Sequence, residues 1–304
     1  MSTDAPQPRV VIEPSTGRPV LMAPKRQQRP MHTGSRKVAA RCPFCAGHEG
    51  DTPPERDAAR DGAGAWLARA FENKYPATAC HEVIAEGPTH REHPCDLDAA
   101  AWRGALELWL RRVQAIEQLP GVAHAFLFKN VGARAGASIA HNHSQVIGLD
   151  ELPPRLALEV AQQRAAGRCH VCASAEHAAP AGREVWRDDD FVIFAPDPPK
   201  LPFETWLAPR SCALDFFSVD LDALAAAMQA WFQALDRALD RPACNLWLHR
   251  VGPQQLTAGE RFHWHFELQP RTGQLAGLEL GGDMYINSVP PQLTAQRMRA
   301  GAPD

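Results

Sequence analysis

Nowhere in the 304 residues is there a run of about 20 apolar side chains, the length a membrane-spanning helix needs. The stretch from Met1 to Arg9 also lacks the apolar core of a secretory leader, so a cytoplasmic protein with no membrane partner is expected. Basic charge is not in excess: 32 Lys and Arg stand against 35 Asp and Glu, a net charge of −3, and aromatics reach only 7%. That balance excludes a broad nucleic-acid face, which needs a basic surface studded with rings. Disorder is excluded too, because 45% hydrophobic and 22% charged residues are ordinary globular proportions. The length suits two domains or one fused pair.

Cysteine is what the chain does have, and its eight thiols are arranged. Cys42 and Cys45 form a Cys-x-x-Cys pair followed by His90 and by His141-Asn142-His143. Cys169 and Cys172 form a second, followed by Cys212 and by His263-Trp264-His265. His90 to His141 and Cys212 to His263 both span 51 residues, and the later elements of the two series lie 122 residues apart. Matched spacing of this kind marks an internal duplication. In a reducing compartment such thiols serve as metal ligands rather than disulfides.

Zinc takes four Cys or His ligands in a tetrahedron. Cys42, Cys45, His90 and His141 supply one set, and Cys169, Cys172, Cys212 and His263 a second. Four protein ligands leave no open position for water, so both sites are expected to be structural. Cys80, Cys95 and Cys244 fall outside the pattern and read as buried thiols. His48, His81, His93, His170 and His249 stand in no such spacing and are given no role.

Patterning predicts an α+β fold, since helices and antiparallel strands alternate without strict βαβ order. Residues 1–40 read as an extended arm or edge hairpin, and 51–60 as a polar loop. A strand over 79–85 precedes a helix over 99–119, with Trp102, Leu106, Trp109, Val113 and Ile116 at helical spacing. Strands follow over 124–131 and 138–148. The second half repeats the order, with strands over 191–195 and 204–208, a helix over 223–239, and strands over 245–251 and 262–269. Leu152-Pro153-Pro154 marks a connector, which divides the chain into 1–150 and 151–304.

Alternate residues of a strand share a face, so His141, His143 and Gln145 are expected to point one way. With His141 given to a metal, His143 remains for chemistry beside a rigid neighbour. Upstream, the loop Gly132 to Ser138 offers backbone N–H groups and a hydroxyl suited to holding phosphate. An imidazole next to phosphate is suited to attack on phosphorus, forming a phosphoramidate, with Gln145 donating to the phosphoryl oxygen. His265 stands beside Glu267 rather than glutamine and reads as a degenerate, structural copy.

These residues resemble the galactose-1-phosphate uridylyltransferase branch of the histidine-triad superfamily, along most of the chain. Pro14 to Arg18 and Ala23 to Pro30 look like its N-terminal signature, and Cys42-Pro43-Phe44-Cys45 its zinc knuckle. Glu72 to Ala77 is similar to its nucleoside-binding segment, and Gly136 to Gln145 to its active-site strand. Pro202 to Thr205 and Ala276 to Glu279 match two second-half segments. The resemblance implies two fused histidine-triad-like repeats, each an antiparallel sheet with a packed helix and a zinc knuckle, usually paired as a homodimer. It implies ping-pong transfer of a nucleotidyl group from a nucleoside-diphosphate sugar to a sugar 1-phosphate. His143 would be the nucleophile, helped by Gln145 and Ser138. Asn73 would bind the nucleoside; Asn130, Ser138, Arg26 and Arg29 would meet phosphate, the arginines across a dimer interface; Gly136 and Glu279 fall in matched segments.

Three departures bear on this. Asn142 and Ser144 replace the Pro and Gly of the transferase pattern His-Pro-His-Gly-Gln, which brings the motif nearer to ADP-glucose phosphorylases. Gly273 stands where the transferases carry lysine, and Cys212 where relatives with a second zinc site carry histidine. A phosphorylase using inorganic phosphate is therefore the alternative. A dinucleoside-polyphosphate hydrolase and a non-enzymatic zinc-knuckle module are further rivals.

Overall fold

A computed structural model describes residues 7–24, 26 and 41–300. Two short apolar stretches either side of a Ser-Thr-Gly turn pair as an antiparallel hairpin, β1 (Arg9–Ile12) with β2 (Pro19–Met22), in the expected arm. β3 (Glu55–Arg60) follows, where a loop was expected. Its polar sequence, Glu-Arg-Asp-Ala-Ala-Arg, misleads because it lies at a sheet edge, and charged side chains are how edges avoid pairing with other chains. β4 (Trp66–Glu72) and β5 (His81–Glu86) extend the sheet inward.

Asp98 caps α1 (Ala99–Glu117) by accepting from the Ala101 N–H at 2.9 Å, and all five apolar residues read at helical spacing are buried. β6 (His124–Val131) has the expected bounds. β7 (His143–Leu149) begins later than expected, because 138–142 bend out of the ladder. There the Asn142 N–H reaches the Arg91 carbonyl at 2.8 Å and the His141 ring reaches the Gly87 carbonyl at 2.9 Å. His141 is thus not a strand neighbour of His143; it sits at the turn that feeds the strand.

The second half opens with two helices not anticipated, α2 (Pro154–Ala166) and α3 (His170–Glu176). β8 (Glu184–Arg187), β9 (Phe191–Phe194) and β10 (Thr205–Pro209) come next, then α4 (Leu221–Leu239), β11 (Cys244–His249) and β12 (His265–Pro270). α5 (Gly277–Gly282) and α6 (Pro291–Ala300) close the described chain.

Ten strands form one antiparallel sheet in the order β3-β4-β5-β7-β6-β11-β12-β10-β9-β8. Read outward from the β6–β11 seam, the two halves mirror each other, so the duplication inferred from ligand spacing is also a duplication of topology. α1 and α4 are each 19 residues long, start 122 residues apart, and pack against each other. Trp102 stacks on Phe232 at their contact, with ring centroids 5.4 Å apart. Trp109 and Trp231, one per repeat, donate indole N–H bonds to Ser144 and Thr205 beneath the sheet. The fold is α+β and built as a duplicated histidine-triad-like unit. Among the described residues no helix is long and apolar enough to cross a membrane.

Candidate active site and metal centres

The Cys42–Cys45 turn brings two thiols against His141, whose Nδ1 lies 3.6 Å from each Sγ; His90 Nδ1 lies 3.8 Å from Cys45 Sγ. A tetrahedral zinc with Zn–S near 2.3 Å and Zn–N near 2.05 Å has an S···N edge of about 3.6 Å, so these separations fit such an ion. The tautomer fits as well. The Gly87 carbonyl can only accept, so His141 Nε2 carries the hydrogen and Nδ1 turns its lone pair to the thiols. Burial favours the neutral ligating ring, lowering its pKa to about 4, and pushes the Cys45 thiol up to about 11.

The second knuckle repeats this arrangement. His263 Nδ1 lies 3.6 Å from Cys169 Sγ and 3.4 Å from Cys172 Sγ, while its Nε2 bonds the Pro209 carbonyl at 2.7 Å. Pro209 therefore does the work of Gly87. Ligand atoms of Cys169, Cys172 and His263 lie within 4.8 Å of one another. Cys212 is outside that triad, although it lines the same hollow as Cys169 and His263; burial, then the neighbouring Cys169 and Cys212 thiols, push the Cys172 thiol up. A group missed by spacing analysis, Glu159, His249 and His265, also brings ligand atoms within 4.8 Å. Two of its members come from strands and the third from α2, so no sequence interval announces it.

Phe44, inside the first knuckle, packs edge-on to both imidazoles, 6.1 Å from His141 and 5.4 Å from His143 between centroids. The knuckle thereby builds one wall of a cavity of about 300 Å³ that His143, Gln145, Ser138, Asn73 and Phe71 also line. His143 donates from Nδ1 to the His141 carbonyl at 2.8 Å. A carbonyl cannot donate, so in the neutral ring the lone pair belongs to Nε2.

Beneath the strand lies a buried ion pair with an indole and a hydroxyl beside it. Glu86 and Lys129, both fully buried, form an ion pair; Trp109 Nε1 donates to Glu86 at 3.2 Å and to Ser144 Oγ at 2.6 Å. Lys129 Nζ also donates to the His143 carbonyl at 3.4 Å. Ser144, the departure from glycine, thus faces the core and anchors the strand from below.

The expected phosphate cradle is narrower than its sequence suggests. N–H groups of Ala135, Gly136 and Ala137 donate to the carbonyls of Gly132 and Ala133, closing a turn that needs Gly132 at φ +77° and Gly136 at φ +88°. Ser138 and Ile139, just beyond it, line the cavity. Asn130 lies on the seam, where its Oδ1 accepts from Asn245 Nδ2 at 2.7 Å. Arg26 donates to the Tyr75 carbonyl at 3.0 Å. Glu279 does not line the cavity; its carboxylate accepts from the N–H groups of Ala276 and Ile286, which hold its pKa below the usual range. Arg29 lies outside the described residues.

In the second repeat His265 repeats the backbone contact of His143, with Nδ1 3.1 Å from the His263 carbonyl. Its ring, however, is covered by Trp206, stacked with centroids 4.7 Å apart. Glu267 is bound by Arg155 at 2.6 and 2.9 Å. His265 itself is 1% exposed.

Residues 112–301 match the family described as a domain of unknown function, DUF4921, and residues 26–152 match the DUF4931 N-terminal domain. An ADP-glucose phosphorylase from Arabidopsis thaliana is 28% identical over 98% of this chain and 94% of its own length. A galactose-1-phosphate uridylyltransferase from Thermotoga maritima is 22% identical over 94% of this chain and 96% of its own. The crystal structure of an Arabidopsis thaliana ADP-glucose phosphorylase with bound ADP-glucose superposes with a TM-score of 0.76 at 27% identity, covering 97% of this chain and 98% of that one.

Proposed function

The chain belongs to the DUF4921 family and to the wider galactose-1-phosphate uridylyltransferase-like group with its ADP-glucose phosphorylase relatives, and on that premise we propose that it transfers a nucleotidyl group from a nucleoside-diphosphate sugar through a covalent nucleotidyl-His143. The observation that carries this reading is the hydrogen bond from His143 Nδ1 to the His141 carbonyl, which assigns the lone pair to Nε2 in a ring lining the cavity.

His143 Nε2 attacks the α-phosphorus as the bond to the bridging oxygen breaks, and the sugar 1-phosphate leaves with that electron pair. Gln145 donates to a non-bridging oxygen as charge builds, and Ser138 holds another. An acceptor oxygen then attacks the same phosphorus, the P–N bond breaks, and the imidazole regains its lone pair. Asn73 sits beside Gln145 in the segment assigned to the nucleoside. Asn130, Gly136, Arg26 and Arg29 complete the proposed substrate contacts; Glu279, outside the cavity, is left out of them.

Inorganic phosphate is the favoured acceptor and adenylate the favoured group. The ADP-glucose phosphorylase likeness spans nearly the whole chain, and the His-Asn-His-Ser-Gln motif and Gly273 both depart from the transferase pattern. Uridylyl transfer to galactose 1-phosphate is the second reading, supported by the uridylyltransferase likeness. Residues 1–150 would carry the working repeat and 151–304 the degenerate one, in a cytoplasmic homodimer. Zinc would be held by Cys42, Cys45, His90 and His141, and a second ion by Cys169, Cys172 and His263 with Cys212. Bound there, zinc supplies a cross-link and no chemistry on substrate.

The test is intact-mass spectrometry after exposure to ADP-glucose or UDP-glucose, with His143→Ala as control. An adduct on the wild type alone, discharged by phosphate or by galactose 1-phosphate, identifies both nucleotide and acceptor. The reading fails if neither nucleotide sugar leaves an adduct, or if the His143→Ala variant carries one.

A further inference from the structure

We infer that His81 is a positioning residue that orients the side-chain amide of Gln145, so that the NH₂ end rather than the oxygen meets the phosphoryl group. The inference rests on the nucleotidyl-histidine reading.

It follows from hydrogen-bond bookkeeping around one oxygen. The Ala77 N–H donates to His81 Nδ1 at 3.0 Å, so Nδ1 is an acceptor and the ring's hydrogen sits on Nε2. That Nε2 lies 3.0 Å from Gln145 Oε1. The Tyr75 N–H donates to Asn73 Oδ1 at 2.9 Å, which makes Nδ2 the amide's other end, and Nδ2 lies 3.3 Å from the same Gln145 oxygen. Two donors therefore converge on Gln145 Oε1, and its two lone pairs are both used. A flipped Gln145 amide would set NH₂ against two N–H donors with no acceptor among them, so the observed orientation is the one in which Gln145 can bond both neighbours; Asn73 Nδ2 and His81 Nε2 lie 3.3 Å apart, two donors side by side on the one oxygen.

Strand register makes this possible. Val83 pairs with Gln145 and Ala85 with His143 across the β5–β7 ladder, so His81, two residues before Val83, lies on their face and diagonal to Gln145. The second repeat lacks the arrangement. Trp206 pairs with Glu267 there, which puts Glu204 at the place of His81. Two carboxylates replace the imidazole and the amide, with Lys200 3.4 Å from each and Arg155 on Glu267. No N–H donor survives at either side chain, and that repeat's His265 is the one covered by Trp206. Amide and imidazole are present together or replaced together.

The orientation matters for rate. An amide NH₂ aimed at a phosphoryl oxygen stabilises charge that grows in the transition state, whereas a carbonyl oxygen there repels it, and small misplacements of such groups are worth about 10²-fold. Because His81 would act only through Gln145, its loss should slow chemistry and leave nucleotide affinity near its starting value.

The experiment is a double-mutant cycle read by single-turnover formation of the nucleotidyl-enzyme from ADP-glucose, or UDP-glucose if that is the sugar nucleotide that labels the wild type. His81→Phe keeps the ring volume and removes the donor; it should lower the rate about 10²-fold with Kd for the sugar nucleotide within about threefold. His81→Gln returns an N–H and should recover most of the rate. In a Gln145→Ala background, His81→Phe should change the rate by less than about threefold. A His81→Phe rate equal to wild type overturns the inference, as does an undiminished loss in the Gln145→Ala background. Should the wild type itself form no adduct, the functional reading falls and takes the inference with it; an adduct on wild type with indifferent His81 variants removes the inference alone.

Discussion

Lys129→Met is the substitution whose effect the structure sizes most directly. Lys129 and Glu86 are 1% and 0% exposed, so neither charge has solvent to fall back on. Removing the ammonium leaves Glu86 accepting from the Trp109 indole at 3.2 Å, too little to hold a carboxylate in an apolar interior. Breaking one side of a buried pair generally destabilises by about 3–5 kcal/mol, whereas replacing both sides with neutral groups is often nearly neutral. The single variant is therefore expected to unfold about 3–5 kcal/mol more easily, and Lys129→Met with Glu86→Gln to regain most of that. At roughly 2–4 °C per kcal/mol, the thermal midpoint of the single variant should drop by at least about 6 °C. Urea titration followed by near-UV circular dichroism measures the difference, and the slope of the transition shows whether compactness changed as well. If the single variant lies within about 1 kcal/mol of wild type, or the double variant is no better than the single, the pair does not sit dry beneath the strand.

Two further outcomes are expected. Cys42→Ser should lower the zinc content of purified protein by about one equivalent per chain, read by elemental mass spectrometry, because a Cys₂His₂ set loses much of its hold with one thiolate gone; unchanged zinc would show that the first knuckle holds none. His124 is buried with neither ring nitrogen hydrogen-bonded among the described residues, and burial with Arg250 nearby lowers its pKa to about 3. Its unfolded value is near 6.5, so the unfolded chain binds the extra proton first and stability falls as pH drops from 6.5 towards 3, by up to about 1.4 kcal/mol per pH unit from this group. His124→Leu should flatten the wild-type stability curve between pH 6.5 and 5, and parallel curves would count against a dry imidazole.

Much of this architecture is legible in sequence because its signals are local or periodic. The Cys-x-x-Cys turns, the 51-residue interval from His90 to His141 and the apolar stripe from Trp102 to Ile116 each survive as patterns in one dimension, and each corresponds to a grouping in the fold; the matching interval from Cys212 to His263 does not bring Cys212 into its triad. β3 reads as loop because edge strands carry charge by design, and α2 gives no clear helical stripe because only Leu156 and Val160 of its 13 residues are buried. The site divides in the same way. His141 and the cysteines are announced by spacing, while His81 and Lys129 act through partners 64 and 43 residues distant in sequence. His81 had one usable signal, its alternation with Val83 and Ala85 on a face leading to His143. The place of Ser144 in the fold, under the strand against Trp109, has no such signal.

The seam at β6 and β11 has a consequence for any attempt to work with half of this molecule. Four ladder pairs, from Cys244 with Val131 to Trp247 with Phe128, stitch the repeats edge to edge. A chain severed near residue 150 would leave each fragment a raw flank of unmet backbone donors and acceptors, lined by Phe126 and Phe128 on one side and by Trp247 on the other. Such flanks recruit whatever ribbon they meet first, including their own copies. The second repeat is therefore a selvedge for the first.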